Sequence, residues 1–121
     1  MITGLHHVQV TVPTGAEIQA REFYCGVLGL SEIPKPETLR QRGGLWLRVG
    51  HCDIHIGTED DVDRRRTKAH VAYEVDDLAF WREKLRSEGI EIIEGVAIPG
   101  FERFEFRDPF GNRVEMIERI A

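Results

Sequence analysis

Alternation of apolar and polar residues is the main pattern in this chain. A β-strand places successive side chains on opposite faces, so an apolar residue at every second position predicts a strand with one buried face. Six segments show this alternation: 5–12, 45–49, 52–56, 69–75, 103–107 and 113–118. We expect each of them to be a strand, with two shorter strands at 31–33 and 90–93.

Two other segments have apolar residues at helical intervals. Thr14 and Glu17 have the spacing of a capping box, which predicts a helix that begins there and ends before Gly29. A second helix is predicted to follow the aspartates at 76–77 and to run to about Ser87, with its apolar stripe facing a sheet.

The order strand, helix, short strand, long strand, long strand occurs twice. Residues 7–12 align with 70–75, and residues 54–56 align with 114–116, at offsets of about 60 residues. We therefore expect an α+β fold of two tandem βαβββ modules within a single domain, 1–121. Module one covers about 4–57 and module two about 69–119, joined by a charged connector of about 58–68.

Each predicted sheet hides its apolar face under a helix, so the two curved sheets are expected to enclose a cavity lined by their polar faces. The repeat places His7 and His70 at equivalent positions, and likewise His55 and Glu115. Any one of them alone is more often a surface or core residue than a ligand. Four such groups at matched positions predict a metal site, because imidazole and carboxylate bind divalent transition metals.

Composition narrows the classes of partner. The net charge is −5, from 16 basic and 21 acidic residues, which argues against nucleic acid as a partner. No apolar run approaches the length of a membrane span, and the N-terminus lacks a signal-peptide pattern, so we expect a cytoplasmic protein. Cys25 and Cys52 form no CxxC motif and are expected to be reduced thiols.

Three segments resemble signatures of one superfamily. They are Leu-His-His-Val-Gln-Val at 5–10, Ala-His-Val-Ala-Tyr-Glu-Val-Asp-Asp-Leu at 69–78 and Asp-Pro-Phe-Gly-Asn-Arg-Val-Glu at 108–115. Together they resemble the vicinal oxygen chelate superfamily, which includes glyoxalase I, methylmalonyl-CoA epimerase, extradiol dioxygenases, fosfomycin-resistance enzymes and bleomycin-binding proteins. Residues 99–104 resemble a bacterial glyoxalase-like subgroup. The resemblance also implies a homodimer.

The resemblance implies a ligand set for a divalent ion, whether Zn, Ni, Co, Mn or Fe. His7, His70 and Glu115 match the His-His-Glu triad of the dioxygenases and fosfomycin enzymes. His55 lies where glyoxalase I enzymes supply a fourth ligand, usually Glu, and this difference argues against methylglyoxal–glutathione chemistry. Glu115 would also be the catalytic base, as in the glyoxalases.

We therefore expect a metal-dependent glyoxalase-like enzyme of the lyase or isomerase type. Its substrate would be a small molecule with vicinal oxygens, reacting through an enediolate or oxyanion. Trp46, Arg48 and Arg103 follow the cavity-facing pattern and are candidate substrate-binding residues, although Arg103 could instead pair with Glu105. The alternatives are an extradiol-type dioxygenase and a small-molecule or drug-binding resistance protein without catalysis.

Overall fold

A computed structural model describes all 121 residues, which form two compact units, Met1–Val62 and Asp63–Ala121. Each unit contains one open four-stranded sheet and a helical segment between its first two strands. These features confirm the α+β class and the two tandem βαβββ modules. The grouping of both modules into one domain, and the enclosure of a cavity by the two sheets, stay predictions.

The first unit contains strands β1 (His7–Val12), β2 (Ser31–Ile33), β3 (Leu45–Val49) and β4 (Cys52–Thr58). They pair in the order β1-β4-β3-β2, with β1 parallel to β4 and the other pairs antiparallel. Helix α1 (Glu17–Arg21) continues as a π-helical turn (Glu22–Val27), and a 3₁₀ turn (Glu37–Arg42) precedes β3. Gly29, at φ +76°, follows the helical segment as predicted.

The start of α1 differs from the prediction. Its N-cap is Ala16, and no side chain caps the helix. Thr14 instead donates its hydroxyl to Asp60 at 2.7 Å, and Glu17 accepts the backbone N–H of Gly44 at 3.1 Å. The predicted capping box is therefore wrong, because both side chains bond to residues distant in sequence within the same unit.

The second unit repeats this topology. It contains β5 (His70–Glu74), β6 (Ile93–Glu94), β7 (Phe101–Arg107) and β8 (Arg113–Arg119), paired in the order β5-β8-β7-β6. A 3₁₀ turn (Arg64–Arg66) precedes β5. Helix α2 (Leu78–Ser87) follows Asp77, whose carboxylate accepts the N–H of Phe80 at 3.0 Å as an N-cap. β6 begins three residues later than the predicted strand at 90–93.

Strand β8 has one face under α2 and one opposite it. Val114 and Met116 are buried, and Glu118, on their side of the strand, accepts the N–H of Leu78 at the start of α2 at 2.6 Å. The even-numbered face of β8 is therefore the helix face. Because side chains alternate, Glu115 lies on the opposite face of the sheet.

Two further features bear on the expectations from composition. Cys25 and Cys52 are both free thiols, and each is only partly buried. No helix of the protein is both long enough and apolar enough to cross a lipid bilayer.

The turn between β7 and β8 is organised by the buried carboxylate of Asp108. Its Oδ1 accepts the backbone N–H groups of Phe110 at 2.9 Å and Asn112 at 2.8 Å, and its Oδ2 accepts the Asn112 amide at 2.9 Å. Gly111 takes φ +102°, a conformation that favours glycine. This turn sets the register that brings Glu115 opposite Glu105.

We expect Asp108→Ala to lower the free energy of unfolding by about 2–3 kcal/mol, because it leaves the turn's N–H groups without an acceptor. Urea denaturation measures this change. The exposed Asp76 provides a matched control, since Asp76→Ala should stay within about 0.5 kcal/mol of the parent. Equal stability of the two variants would contradict the assigned role of Asp108.

Candidate functional site

A histidine and a carboxylate meet on the polar face of the second sheet. β5 and β8 run parallel, and the Nε2 atom of His70 lies 3.0 Å from Oε1 of Glu115. The Nδ1 atom of His70 lies 2.9 Å from the backbone oxygen of Lys68. Because a carbonyl only accepts, Nδ1 carries the hydrogen and donates it.

The hydrogen bond to Lys68 determines which nitrogen of His70 faces Glu115. In the neutral ring, Nε2 presents a lone pair to the Glu115 carboxylate, so two acceptors face each other at 3.0 Å. Such a pair repels unless a proton or a metal ion lies between the two atoms. The spacing also fits shared coordination, since two ligands at about 2.1 Å from one ion are roughly 3.0–3.4 Å apart.

Glu115 is only 5% exposed, so its charge needs partners. The Nη1 atom of Arg103 lies 3.3 Å from Glu115 Oε1 and 3.5 Å from Glu105 Oε1. Nε of Arg103 donates to the backbone oxygen of Val96 at 3.0 Å. Arg103 thus contacts Glu105, as one of its two interpretations expected, and it also contacts the candidate catalytic carboxylate. Its role in substrate binding stays a prediction.

Glu105 is the second buried carboxylate of this sheet. It accepts two hydrogen bonds from Arg113, one from Nε and one from Nη2 at 2.7 Å. This hydrogen bonding holds the pKa of Glu105 below its usual range. Glu105 is therefore held as a carboxylate and is a poor proton carrier, which leaves Glu115 as the better candidate base on this sheet.

Three rings stack on the first sheet. His55 lies 4.0 Å from His7 at an interplanar angle of 14°, and 4.0 Å from Trp46 at 3°. Trp46 and His55 are directly opposed across β3 and β4. Burial, with a smaller contribution from His7, lowers the pKa of His55. A neutral imidazole is the form that binds metals.

His6 immediately precedes His7, and strand alternation predicts that its side chain points to the opposite face. The structure instead places its Nδ1 atom 3.0 Å from Nδ1 of His7, with the rings edge to face. His6 precedes the first residue of β1, and its ring lies on the side of His7 although its backbone oxygen still accepts the N–H of Asp53 at 3.2 Å. One ring nitrogen of His7 is thereby engaged in a hydrogen bond.

A pocket of about 310 Å³ adjoins this stack. Trp46 and His55 line it, whereas Arg48 does not: Arg48 is exposed and pairs with Asp53 at 3.2 Å. Arg103 lines a smaller pocket of about 200 Å³ in the second unit. The alternating pattern did not indicate the loop that forms one wall of the larger pocket. That wall carries Lys35, Leu39, Arg42 and Gly43.

The predicted ligand set divides between the units, with His7 and His55 in the first and His70 and Glu115 in the second. No group of three or more histidine, cysteine, aspartate or glutamate side chains is arranged to hold a metal ion. All buried side-chain nitrogen and oxygen atoms have hydrogen-bond partners. The donor chemistry of His70 and Glu115 fits a divalent ion, and the four-residue ligand set stays a prediction.

Comparisons with known proteins point to one family. The model of the Glyoxalase/Bleomycin resistance protein/Dioxygenase superfamily matches residues 4–116. A search of curated proteins found no match. A solved structure from Bacillus anthracis, assigned to the glyoxalase family, is 44% identical with a TM-score of 0.91, covering 98% of this chain and 97% of that one.

More distant structures share the fold. A glyoxalase/dioxygenase from Nostoc punctiforme is 20% identical with a TM-score of 0.81, covering 98% of this chain and 92% of that one. The fosfomycin resistance protein FosX from Listeria monocytogenes, solved with Mn(II) and sulfate, is 21% identical with a TM-score of 0.74. That match covers 96% of this chain and 90% of FosX.

We expect His70→Ala and His7→Ala each to weaken Zn(II) binding by about 100-fold or more, because each removes a ligand nitrogen. Competition against a chromophoric chelator measures the affinity. His51, exposed in the turn between β3 and β4, is the matched control, and His51→Ala should bind like the parent. Parent-like affinity in His70→Ala would remove His70 from the site.

His55 requires its own comparison, because rings cover both of its faces and only its edge is open to a ligand. If His55 is the fourth ligand, His55→Ala should weaken Zn(II) binding as His7→Ala does. An unchanged affinity in His55→Ala, with a large loss in His7→Ala, would place His55 outside the coordination shell.

Proposed function

This chain belongs to the Glyoxalase/Bleomycin resistance protein/Dioxygenase superfamily, and we propose that it is a metal-dependent glyoxalase-like enzyme of the lyase or isomerase type. Its substrate is a small molecule with two adjacent oxygen atoms. We further propose that it acts as a cytoplasmic homodimer. The divalent ion is held by His7, His70 and Glu115, with His55 as the fourth ligand.

One observation carries the proposal: His70 Nε2 lies 3.0 Å from Oε1 of the Glu115 carboxylate, a spacing that a shared metal ion would fit, while the other ring nitrogen bonds to the backbone oxygen of Lys68. Ligating histidines usually donate their second nitrogen to a carbonyl or carboxylate in this way, which orients the ring toward the metal. The contact therefore supports a cation site at this point of the sheet.

A bound divalent ion supplies Lewis-acid polarisation of the substrate oxygens. The chain's own residues then move the proton. Glu115 accepts it from the substrate carbon and returns it, since the hydrogen bonds from Arg113 lower the pKa of Glu105 and make Glu105 a weak base. Arg103, 3.3 Å from Glu115 and hydrogen-bonded to Val96, holds that carboxylate in position. Gly95 makes room for this guanidinium, since a Cβ there would lie 2.8 Å from Arg103 Cζ.

The proposed metal ligands set the charge of the site and therefore the kind of substrate that it favours. Three neutral imidazoles and one carboxylate leave a divalent ion with a formal charge near +1, which favours an anionic chelating substrate. With histidine rather than glutamate at position 55, one carboxylate fewer is available to move protons. This argues against a two-base glyoxalase mechanism and supports Glu115 as the residue that transfers the proton.

A dioxygenase is the second candidate, and the ring stack around His55 favours it. If His55 serves only to pack between His7 and Trp46, two histidines and one carboxylate remain. That triad is typical of non-haem Fe(II) oxygenases. Oxygen consumption with catechols distinguishes this candidate from an isomerase.

A binding protein without catalysis is the third candidate, and the Arg103–Glu115 contact favours it. A guanidinium 3.3 Å from Glu115 compensates the carboxylate charge that a metal ion would otherwise use. Metal content after purification without chelators separates this candidate from the other two.

We expect Glu115→Gln to reduce turnover by about 10²–10⁴-fold or more, because it keeps the side-chain volume and removes the base. The substrate is first found by screening 2-oxoaldehydes, acyl-CoA esters and catechols. The exposed Glu91 is the matched control, and Glu91→Gln should retain parent rates. Parent rates in a folded Glu115→Gln variant, with folding checked by circular dichroism, would rule out the catalytic role.

A further inference from the structure

The pocket of about 310 Å³ in the first unit is lined by positive charge, although the net charge of the chain is −5. Two cationic side chains and no carboxylate line it. The complete lining is Gln9, Lys35, Leu39, Arg42, Gly43, Trp46, His55, Ile56, Gly57 and Thr58. A pocket of this charge favours anions over neutral or cationic molecules.

Neither cation of the pocket is neutralised by an ion pair. The Nζ atom of Lys35 donates to the backbone carbonyl of Gly43, which carries no formal charge. No salt bridge of the structure involves Arg42, whereas Arg40, two residues earlier, pairs with Glu37 at 3.0 Å. The positive charges of Lys35 and Arg42 are therefore available to a ligand.

The segment that carries these cations is fixed to the sheet and to helix α1. Thr58 donates its hydroxyl to the backbone oxygen of Arg42 at 3.4 Å, and Gly44 donates its N–H to Glu17 at 3.1 Å. Gly44 has φ +79° and packs so closely that a Cβ there would lie 2.1 Å from the carbonyl oxygen of Ile56. The pocket wall is thus preorganised rather than a free loop.

Two aromatic side chains share the pocket with the cations, and since His55 lies between His7 and Trp46, only Trp46 can offer a ring face to a ligand. Trp46 and His55 stack at an interplanar angle of 3° and both line the pocket. We propose that this pocket binds a small organic anion, with Lys35 and Arg42 holding its carboxylate or phosphate group and Trp46 contacting a flat apolar part. The inference rests on the proposed function, for which it names the substrate class.

Binding of benzoate and phenyl phosphate to the metal-free protein, in the presence of EDTA, tests the inference. Isothermal titration gives the affinities, and benzyl alcohol is the neutral probe of similar shape. We expect the anions to bind more tightly than the alcohol and to bind more weakly as salt is raised. Failure of both anions to bind the parent protein would overturn the inference.

Variants assign the binding to this pocket. Lys35→Gln and Arg42→Gln should each weaken binding of the anions about fivefold and leave benzyl alcohol unchanged. The matched control is Arg40→Gln, which removes an arginine of the same turn that does not line the pocket. Equal affinities in Arg42→Gln and Arg40→Gln would contradict the assignment.

The two proposals can fail separately. If the anions bind the metal-free parent and no metal or turnover is found, the pocket stands and the proposed enzyme fails. If turnover depends on Glu115 while neither anion binds, the enzyme stands and the anion pocket is overturned.

Discussion

Burial of the Glu115 carboxylate is the constraint on which the second unit depends. Val114 and Met116, the apolar residues on either side of Glu115, are buried on the face of β8 that packs under α2. Strand alternation therefore places Glu115 on the other face. A carboxylate only 5% exposed is costly unless it is paired and hydrogen-bonded. His70 and Arg103 both reach the same oxygen atom, at 3.0 and 3.3 Å. Packing on one face of the strand thus places the candidate base on the other.

The two units carry different chemistry at equivalent positions of the repeat. The last strand of the second unit presents a carboxylate among arginines, whereas that of the first presents a histidine between two rings. Charge pairing stabilises the carboxylate of the second unit, whereas burial and ring stacking stabilise the histidine of the first unit. This division leaves Glu115 as the candidate base. We propose that His55 is either a metal ligand or part of the aromatic wall of the proposed anion pocket.

Sequence periodicity could predict what depends on local alternation and on the repeat. The strands, Gly29 and the presence of His70 and Glu115 on the polar face of one sheet follow from these patterns, because side chains alternate along each strand. Features set by distant partners could not be predicted. Thr14 bonds to Asp60 rather than to its own helix, and Glu17 accepts the N–H of Gly44. Arg103 contacts two carboxylates because its long side chain reaches both, and sequence periodicity does not predict how far a side chain reaches.

The central claim is that a metal ion lies between His70 and Glu115. A crystal structure of the protein grown with Zn(II), with anomalous data at the zinc edge, tests it directly. The account predicts a peak about 2.0–2.2 Å from His70 Nε2 and from a Glu115 carboxylate oxygen, with His7 in the same coordination shell. A map without a peak there, with His70 still 3.0 Å from Glu115 and Arg103 still in contact with it, would contradict the account.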